Sequence, residues 1–215
     1  MITRGVVFDL DGTLVDSLRD LHESLGDVLA ARGLRRPSPG EVRSMVGDGA
    51  RRLVEKALIA TGGPSDGSTV DGVTREFLLM YGARADRYTA PYAGMIEVVD
   101  AIRARGAKLA VCTNKPRAAT LAILSATGLA SRFDAVVAGD DVPRRKPDPA
   151  HVLAACAALG LAGNEVAMVG DGPHDLLAAA GAGARPIGVR WGYGDVDSVA
   201  SEFVAESPAD LLDLV

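Results

Sequence analysis

Phe8-Asp9-Leu10-Asp11-Gly12-Thr13-Leu14-Val15-Asp16-Ser17 follows an apolar run at 5–8. A short run bounded by turn signals reads as a buried strand, which places Asp9 and Asp11 at the carboxyl end of that strand. In an open α/β sheet, ligands bind beyond those ends. Positions two apart on an extended strand point the same way, but a turn re-aims them. Gly12 relieves the turn, and Gly12 and Thr13 can offer backbone N–H groups to an anion. A carboxylate pair at such a place can hold a hard cation, supply a nucleophile, or serve as acid and base. Taken alone, it reads more simply as an acidic turn in which Asp11 caps a helix.

Outward from this stretch, similar apolar runs recur at 108–112, 135–138, 166–169 and 186–189. Helical patterns at 95–105, 118–127, 150–159 and 176–182 separate several of them, and Gly106, Gly128, Gly160 and Gly183 stand near their ends as caps. Strand–helix alternation predicts a doubly wound parallel sheet with helices on both faces. Between 15 and 92 no strand pattern appears. Helical segments at 18–31, 41–61 (broken by Gly47-Asp48-Gly49) and 69–85 fill the interval. We therefore expect an α/β core of residues 1–15 plus 93–215 and an all-helical insertion, 16–92, after the first strand.

The 215 residues suffice for one such core with a small insertion. Their net charge of -5 argues against a nucleic-acid partner, which needs a basic face. No stretch approaches a membrane span, and the first residues lack a signal peptide's apolar segment, so a cytoplasmic protein with no membrane partner is expected. Cys112 and Cys156 lack CxxC spacing and read as reduced core residues. Oligomeric state is not readable.

Three further segments end or follow predicted strands. Thr113-Asn114-Lys115-Pro116 offers a hydroxyl and helix-terminal N–H groups, which suit either phosphate or simple capping. Lys146, between prolines in Pro143-Arg144-Arg145-Lys146-Pro147, is a point charge beside a phosphate or a solvated basic turn. Val169-Gly170-Asp171-Gly172-Pro173-His174-Asp175 brings two more carboxylates, with Asp175 also placed to favour a helix dipole. His174 has no evident partner and reads as a surface residue. Together the four segments should meet at one edge of the sheet.

In content, order and spacing these segments resemble the motifs of the haloacid dehalogenase superfamily, over nearly the whole chain. Within it the chain looks most like bacterial phosphoglycolate phosphatases, through 9–17, the Gly-x-Gly at 47–49, 113–116, Gly139-Asp140-Asp141-Val142, Lys146-Pro147 and Trp191-Gly192-Tyr193-Gly194. The resemblance implies a Rossmann-like core with a helical cap, and a Mg²⁺-dependent phosphomonoester hydrolase acting on a small phosphorylated metabolite. Asp9 would be the nucleophile that forms an aspartyl-phosphate, and Asp11 the general acid and then the base. Thr113 and Asn114 would bind phosphoryl oxygens, and Lys146 would neutralise the phosphate and orient Asp9. The metal would be held by Asp9, the Asp11 carbonyl and Asp171, with Asp175 behind them. Gly172 stands where many relatives carry serine.

In the insertion, the glycines at 47 and 49 break a helical pattern and would let backbone N–H groups approach a ligand. Gly49 and Arg51, with Arg52 beside it, are the expected substrate-reading residues, the arginine for a carboxylate. The resemblance favours 2-phosphoglycolate as substrate. Alternatives are pyrophosphate, a sugar phosphate, N-acetylmuramic acid 6-phosphate, a β-phosphoglucomutase-like phosphomutase, or a binding module without catalysis.

Overall fold

The computed structural model describes residues 3–84, 87–199 and 201–215. The first strand, β1 (Gly5–Phe8), leads into a two-residue strand, β2 (Val15–Asp16). Helices α1 (Leu18–Ala30), α2 (Pro39–Met45), α3 (Ala50–Thr61) and α4 (Gly67–Gly82) follow, and then β3 (Ala90–Pro91). The chain continues through α5 (Met95–Ala104), β4 (Lys108–Cys112), α6 (Arg117–Ala126), β5 (Ala135–Val137), α7 (Pro149–Leu159) and β6 (Val166–Gly170). It closes with α8 (Pro173–Gly181), β7 (Arg185–Val189), β8 (Phe203–Ala205) and α9 (Leu211–Leu214).

Six strands form one parallel sheet in the order β5-β4-β1-β6-β7-β8. Side chains alternate across it, as the period of two requires. Val7, Ala110, Cys112 and Met168 pack with Val152, Ala155 and Cys156 of α7 and Ala178 and Ala179 of α8. Val6, Phe8, Leu109 and Val169 pack on the other face with Val99 and Ile102 of α5 and Ile123 of α6. Burial of both faces explains why the strands read as continuous apolar runs. From β1 the chain builds β4 and β5 to one side, then returns to β6 on the other. That reversal opens a crevice at the carboxyl ends of β1, β4 and β6.

The α/β class and the parallel sheet are as expected. β8 is an addition, an edge strand of three residues, too short to register as a run. The interval 15–92 is helical except at its ends, where β2 pairs antiparallel with β3. Asp20, buried in α1, fastens the same junction. Its Oδ2 accepts from the Tyr88 and Thr89 amides at 2.9 and 2.8 Å and from Thr89 Oγ1 at 2.7 Å. The expected helix end at Ala85, and Met1-Ile2 of the N-terminal reading, lie outside the described residues.

The break at Gly47-Asp48-Gly49 separates two helices. Ser38 begins α2 with a capping box through Glu41. Gly49, at φ 87°, precedes α3. Leu53, Val54, Ala57 and Leu58 are the buried residues of α3, and they share a cluster with Val73 and Phe77 of α4. Among the described residues no helix is long and apolar enough to cross a membrane. Cys112 and Cys156 are buried free thiols.

Candidate active site

The crevice holds a cavity of about 360 Å³ lined by Asp9, Asp11, Thr113, Lys146, Asp171 and Asp175 from the sheet side. Leu21, Leu53, Phe77 and Tyr81 line it from the helical side. Thus all four sequence segments reach one place.

Asp9 extends β1, and its amide still donates to Val169 O at 2.9 Å. Asp171 leaves β6, and Asp175 sits in the first turn of α8. One carboxylate oxygen from each of Asp9, Asp171 and Asp175 lies within 4.8 Å of the others. Lys146 Nζ donates to Asp9 Oδ1 at 2.9 Å, Asp175 Oδ1 at 2.6 Å and the Cys112 carbonyl at 2.6 Å. It joins nucleophile candidate, acidic cluster and strand end.

His151 secures the lysine from behind. Its Nδ1 accepts from the Lys146 amide at 3.3 Å, leaving Nε2 to donate to Val137 O at 3.2 Å. Burial, then the Lys146 charge, holds this imidazole down at about 4, so it stays neutral. Sequence reading missed His151 because it falls inside the helical run 150–159, where a histidine carries no sign of the loop it braces.

Burial pushes the Asp9 carboxyl up to about 7; Lys146 opposes this, but Asp175 and Asp171 add to it. Burial and then Asp175 raise Asp171 to about 6, against amide donors from Gly194 and Tyr193. Burial works against the Lys146 charge, but Asp175 and Asp9 outweigh it and raise its pKa. Three clustered carboxylates thus have one ammonium among them, which pairs directly with Asp9 and Asp175. The excess negative charge and all-oxygen donor set fit a hard dication.

The Trp191-Gly192-Tyr193-Gly194 loop, a family feature without an assigned role in the sequence, shapes the cluster. The amides of Tyr193 and Gly194 donate to Asp171 Oδ2 at 2.7 and 2.9 Å. Thr13 Oγ1 reaches Asp171 Oδ1 at 3.3 Å. Gly172, in place of serine, donates its amide to Asp175 Oδ2 at 3.2 Å.

Asp11 stands apart from the three-carboxylate group. Lys115 Nζ holds both its oxygens, at 3.0 and 2.9 Å, and Ser17 Oγ donates to Oδ1. Burial opposes the Lys115 charge, but Asp11 and then Tyr81 more than compensate and raise its pKa. Lys115 was passed over in the sequence, although it follows β4 directly after Thr113 and Asn114. Its charge in an otherwise small and polar strand end was the available signal.

Several expectations need correction. The Gly12 and Thr13 amides are spent inside their turn, on Val15 O at 2.9 Å and Leu10 O at 3.3 Å, so neither is free for an anion. Gly12 serves instead by its shape. At φ +85°, a Cβ there would lie 2.4 Å from Asp171 Oδ2. Asn114 does not point at a phosphate position with its amide, because Nδ2 donates to Gly47 O and Lys146 O, both at 2.9 Å. It stitches the helical loop to the lysine loop.

Gly49 lines the cavity as expected, but Arg51 does not: its Nε donates to Asp71 at 2.8 Å on the exposed side of α3. Arg52 pairs with Glu55, also outside. His174, far from being unpartnered, lines the cavity and meets Asp48 Oδ1 at 2.6 Å. Thr113 accepts from the Lys115 amide at 3.3 Å, which leaves its O–H to donate into the cavity.

The family model for haloacid dehalogenase-like hydrolases matches residues 3–183. The phosphoglycolate phosphatase of Caulobacter vibrioides is 39% identical over 208 residues, covering 96% of this chain and 88% of that protein. That of Agrobacterium fabrum is 37% identical over 210 residues, covering 94% and 90%. A crystal structure described as a predicted phosphoglycolate phosphatase from Haemophilus somnus superposes with a TM-score of 0.91 at 30% identity, covering 99% of this chain and 97% of the other.

Proposed function

The chain belongs to the haloacid dehalogenase-like hydrolases, and from that premise we propose that it is a Mg²⁺-dependent phosphatase whose substrate is 2-phosphoglycolate and whose nucleophile is Asp9. The observation that carries the reading is the meeting of Asp9, Asp171 and Asp175 around Lys146, with Asp11 and Thr113 in the same cavity. The relatives' names supply the substrate.

Asp9, Asp171 and the Asp11 carbonyl would hold Mg²⁺, with the Asp175 carboxylate beside them. Bound there, the dication supplies positive charge that offsets the repulsion between a phosphate dianion and a carboxylate nucleophile. Lys146 fixes the Asp9 carboxylate in orientation. Asp9 attacks phosphorus, the bond to the ester oxygen breaks, and Asp11 delivers a proton to the departing alkoxide. Water then attacks the aspartyl-phosphate. Asp11 takes the water proton, and the Asp9 carboxylate leaves with the electron pair of the broken O–P bond. Thr113 donates to a phosphoryl oxygen throughout, a charge-stabilising contact of the kind on which phosphoryl transfer depends.

In this reading residues 1–15 and 93–215 form the catalytic core, and 16–92 is a cap that covers the leaving group. A purified sample assayed on p-nitrophenyl phosphate and 2-phosphoglycolate, with Mg²⁺ and with excess EDTA, tests it. Turnover of both esters only with the cation is expected. Full turnover after EDTA and dialysis refutes the metal assignment. At least about tenfold higher kcat/KM for pyrophosphate, glucose 1-phosphate or N-acetylmuramic acid 6-phosphate refutes the substrate assignment.

A further inference from the structure

The cavity contains a buried cation on the leaving-group side for which the reaction above has no use. Lys115 lies just beyond β4 and is only 6% exposed. Its Nζ bridges Asp11, at 3.0 and 2.9 Å, and the Tyr81 hydroxyl of α4, at 2.8 Å. We propose that Lys115, together with Tyr81, binds the carboxylate of the leaving group and so selects phosphate esters that carry a carboxylate close to the ester oxygen. The proposal rests on the phosphatase reading, which sets Asp11 beside the ester oxygen.

The other cations on the cavity wall have partners away from Asp11 and Tyr81. Lys146 is shared by two carboxylates and a carbonyl. Arg43 donates to Gly192 O. Lys56 and His174 both close on Asp48, each at 2.6 Å. Arg51 faces away. Lys115 has one anionic partner, Asp11, and Asp11 keeps a second donor in Ser17 when one lysine contact is given up.

Tyr81 supplies an independent observation. Its oxygen accepts from Lys115, and its own proton has no acceptor among the described residues although the side chain is 1% exposed. A buried donor without an acceptor is costly. An anion lying against Lys115 would satisfy it. Burial keeps the phenol up at about 12, so it remains a donor. An ammonium and a phenolic O–H meet at one point of a wall that also includes the apolar Leu21, Leu53 and Phe77. A leaving group with no acceptor at this point would leave the Tyr81 proton unpaired, with Lys115 still on Asp11.

The test compares 2-phosphoglycolate with ethyl phosphate, an ester of similar length without the carboxylate. In Lys115→Met, kcat/KM should fall for both, but by about 30-fold more for 2-phosphoglycolate, the worth of a charged hydrogen bond. Lys115→Arg should restore part of that preference. Tyr81→Phe, which keeps the ring packing, should reduce the preference by about fivefold, mainly through KM. Equal losses on the two esters in Lys115→Met and an unchanged ratio in Tyr81→Phe would overturn the proposal and leave Lys115 as a positioning residue for Asp11. If the wild type hydrolyses neither ester, the reaction assignment is at fault, and calorimetry still decides the role of Lys115. Tighter binding of 2-phosphoglycolate to wild type than to Tyr81→Phe and Lys115→Met supports it, and equal affinities overturn it.

Discussion

Glycine positions around Asp171 separate two kinds of requirement. Gly172 has φ -137°, ordinary extended backbone, and a Cβ there would come no closer than 3.9 Å to another residue. Gly172→Ser should therefore keep kcat/KM within about threefold of the wild type. Gly12 is different. Its left-handed φ and the 2.4 Å approach of Asp171 Oδ2 leave no room for a methyl group. Gly12→Ala should displace Asp171 and raise the Mg²⁺ concentration for half-maximal activity by at least about tenfold. Mg²⁺ titrations of the two variants check both outcomes, and a normal titration for Gly12→Ala would refute the account of this turn. Asp9, Asp11, Thr113 and Asp171 could be placed at the cavity from the sequence because each stands within three residues of a clear strand's end, Asp175 because it opens the helix after β6, and Lys146 because prolines fix it in the loop after β5. His151 was not, because it lies within a helical run, and the pairing of Lys115 with Asp11 and Tyr81 joins residues 104 and 34 positions apart.

Among the elements, the loop between α2 and α3 is one place where the helical part meets the sheet. Asp48 binds Lys56 of α3 on one side and His174 of α8 on the other, and Asn114 Nδ2 holds the Gly47 carbonyl. Asp48→Asn keeps the size and removes the charge. It should raise KM for 2-phosphoglycolate by about five- to tenfold and speed amide hydrogen exchange at 46–49, because the loop loses its charged anchor. Unchanged exchange would mean that the anchor lies elsewhere.

The α2–α3 break was visible as Gly-x-Gly, whereas the direction of Arg51 was misjudged. Here too the sequence held a signal. Leu53, Val54, Ala57 and Leu58 define the inward stripe of α3; position 51 falls at its edge and position 52 opposite it. By contrast, β2, β3 and β8 are two or three residues long and are made by pairing rather than by local preference.

At the scale of the whole molecule, the acidic cluster costs stability when no cation is present. Asp9 and Asp171 titrate near 7 and 6 in the fold, above the ordinary 3.8. Between these values the folded protein holds more protons than the unfolded chain. Their contribution is therefore most favourable below the ordinary carboxylate pKa and is lost as pH rises through about 6 to 7. In EDTA, Tm should fall between about pH 5 and pH 8, and added Mg²⁺ should raise it more at the higher pH. A metal-free Tm that rises across this interval, with no Mg²⁺ effect, would contradict the cluster's charge balance. The central claim remains that Asp9 carries the phosphoryl group, and one measurement reaches it most directly: acid-quenched protein, sampled during turnover of 2-phosphoglycolate in Mg²⁺, analysed by peptide mass spectrometry. The account predicts one added phosphoryl group on the peptide containing Asp9, absent from Asp9→Asn, which turns over no substrate. Wild-type turnover by Asp9→Asn would contradict it.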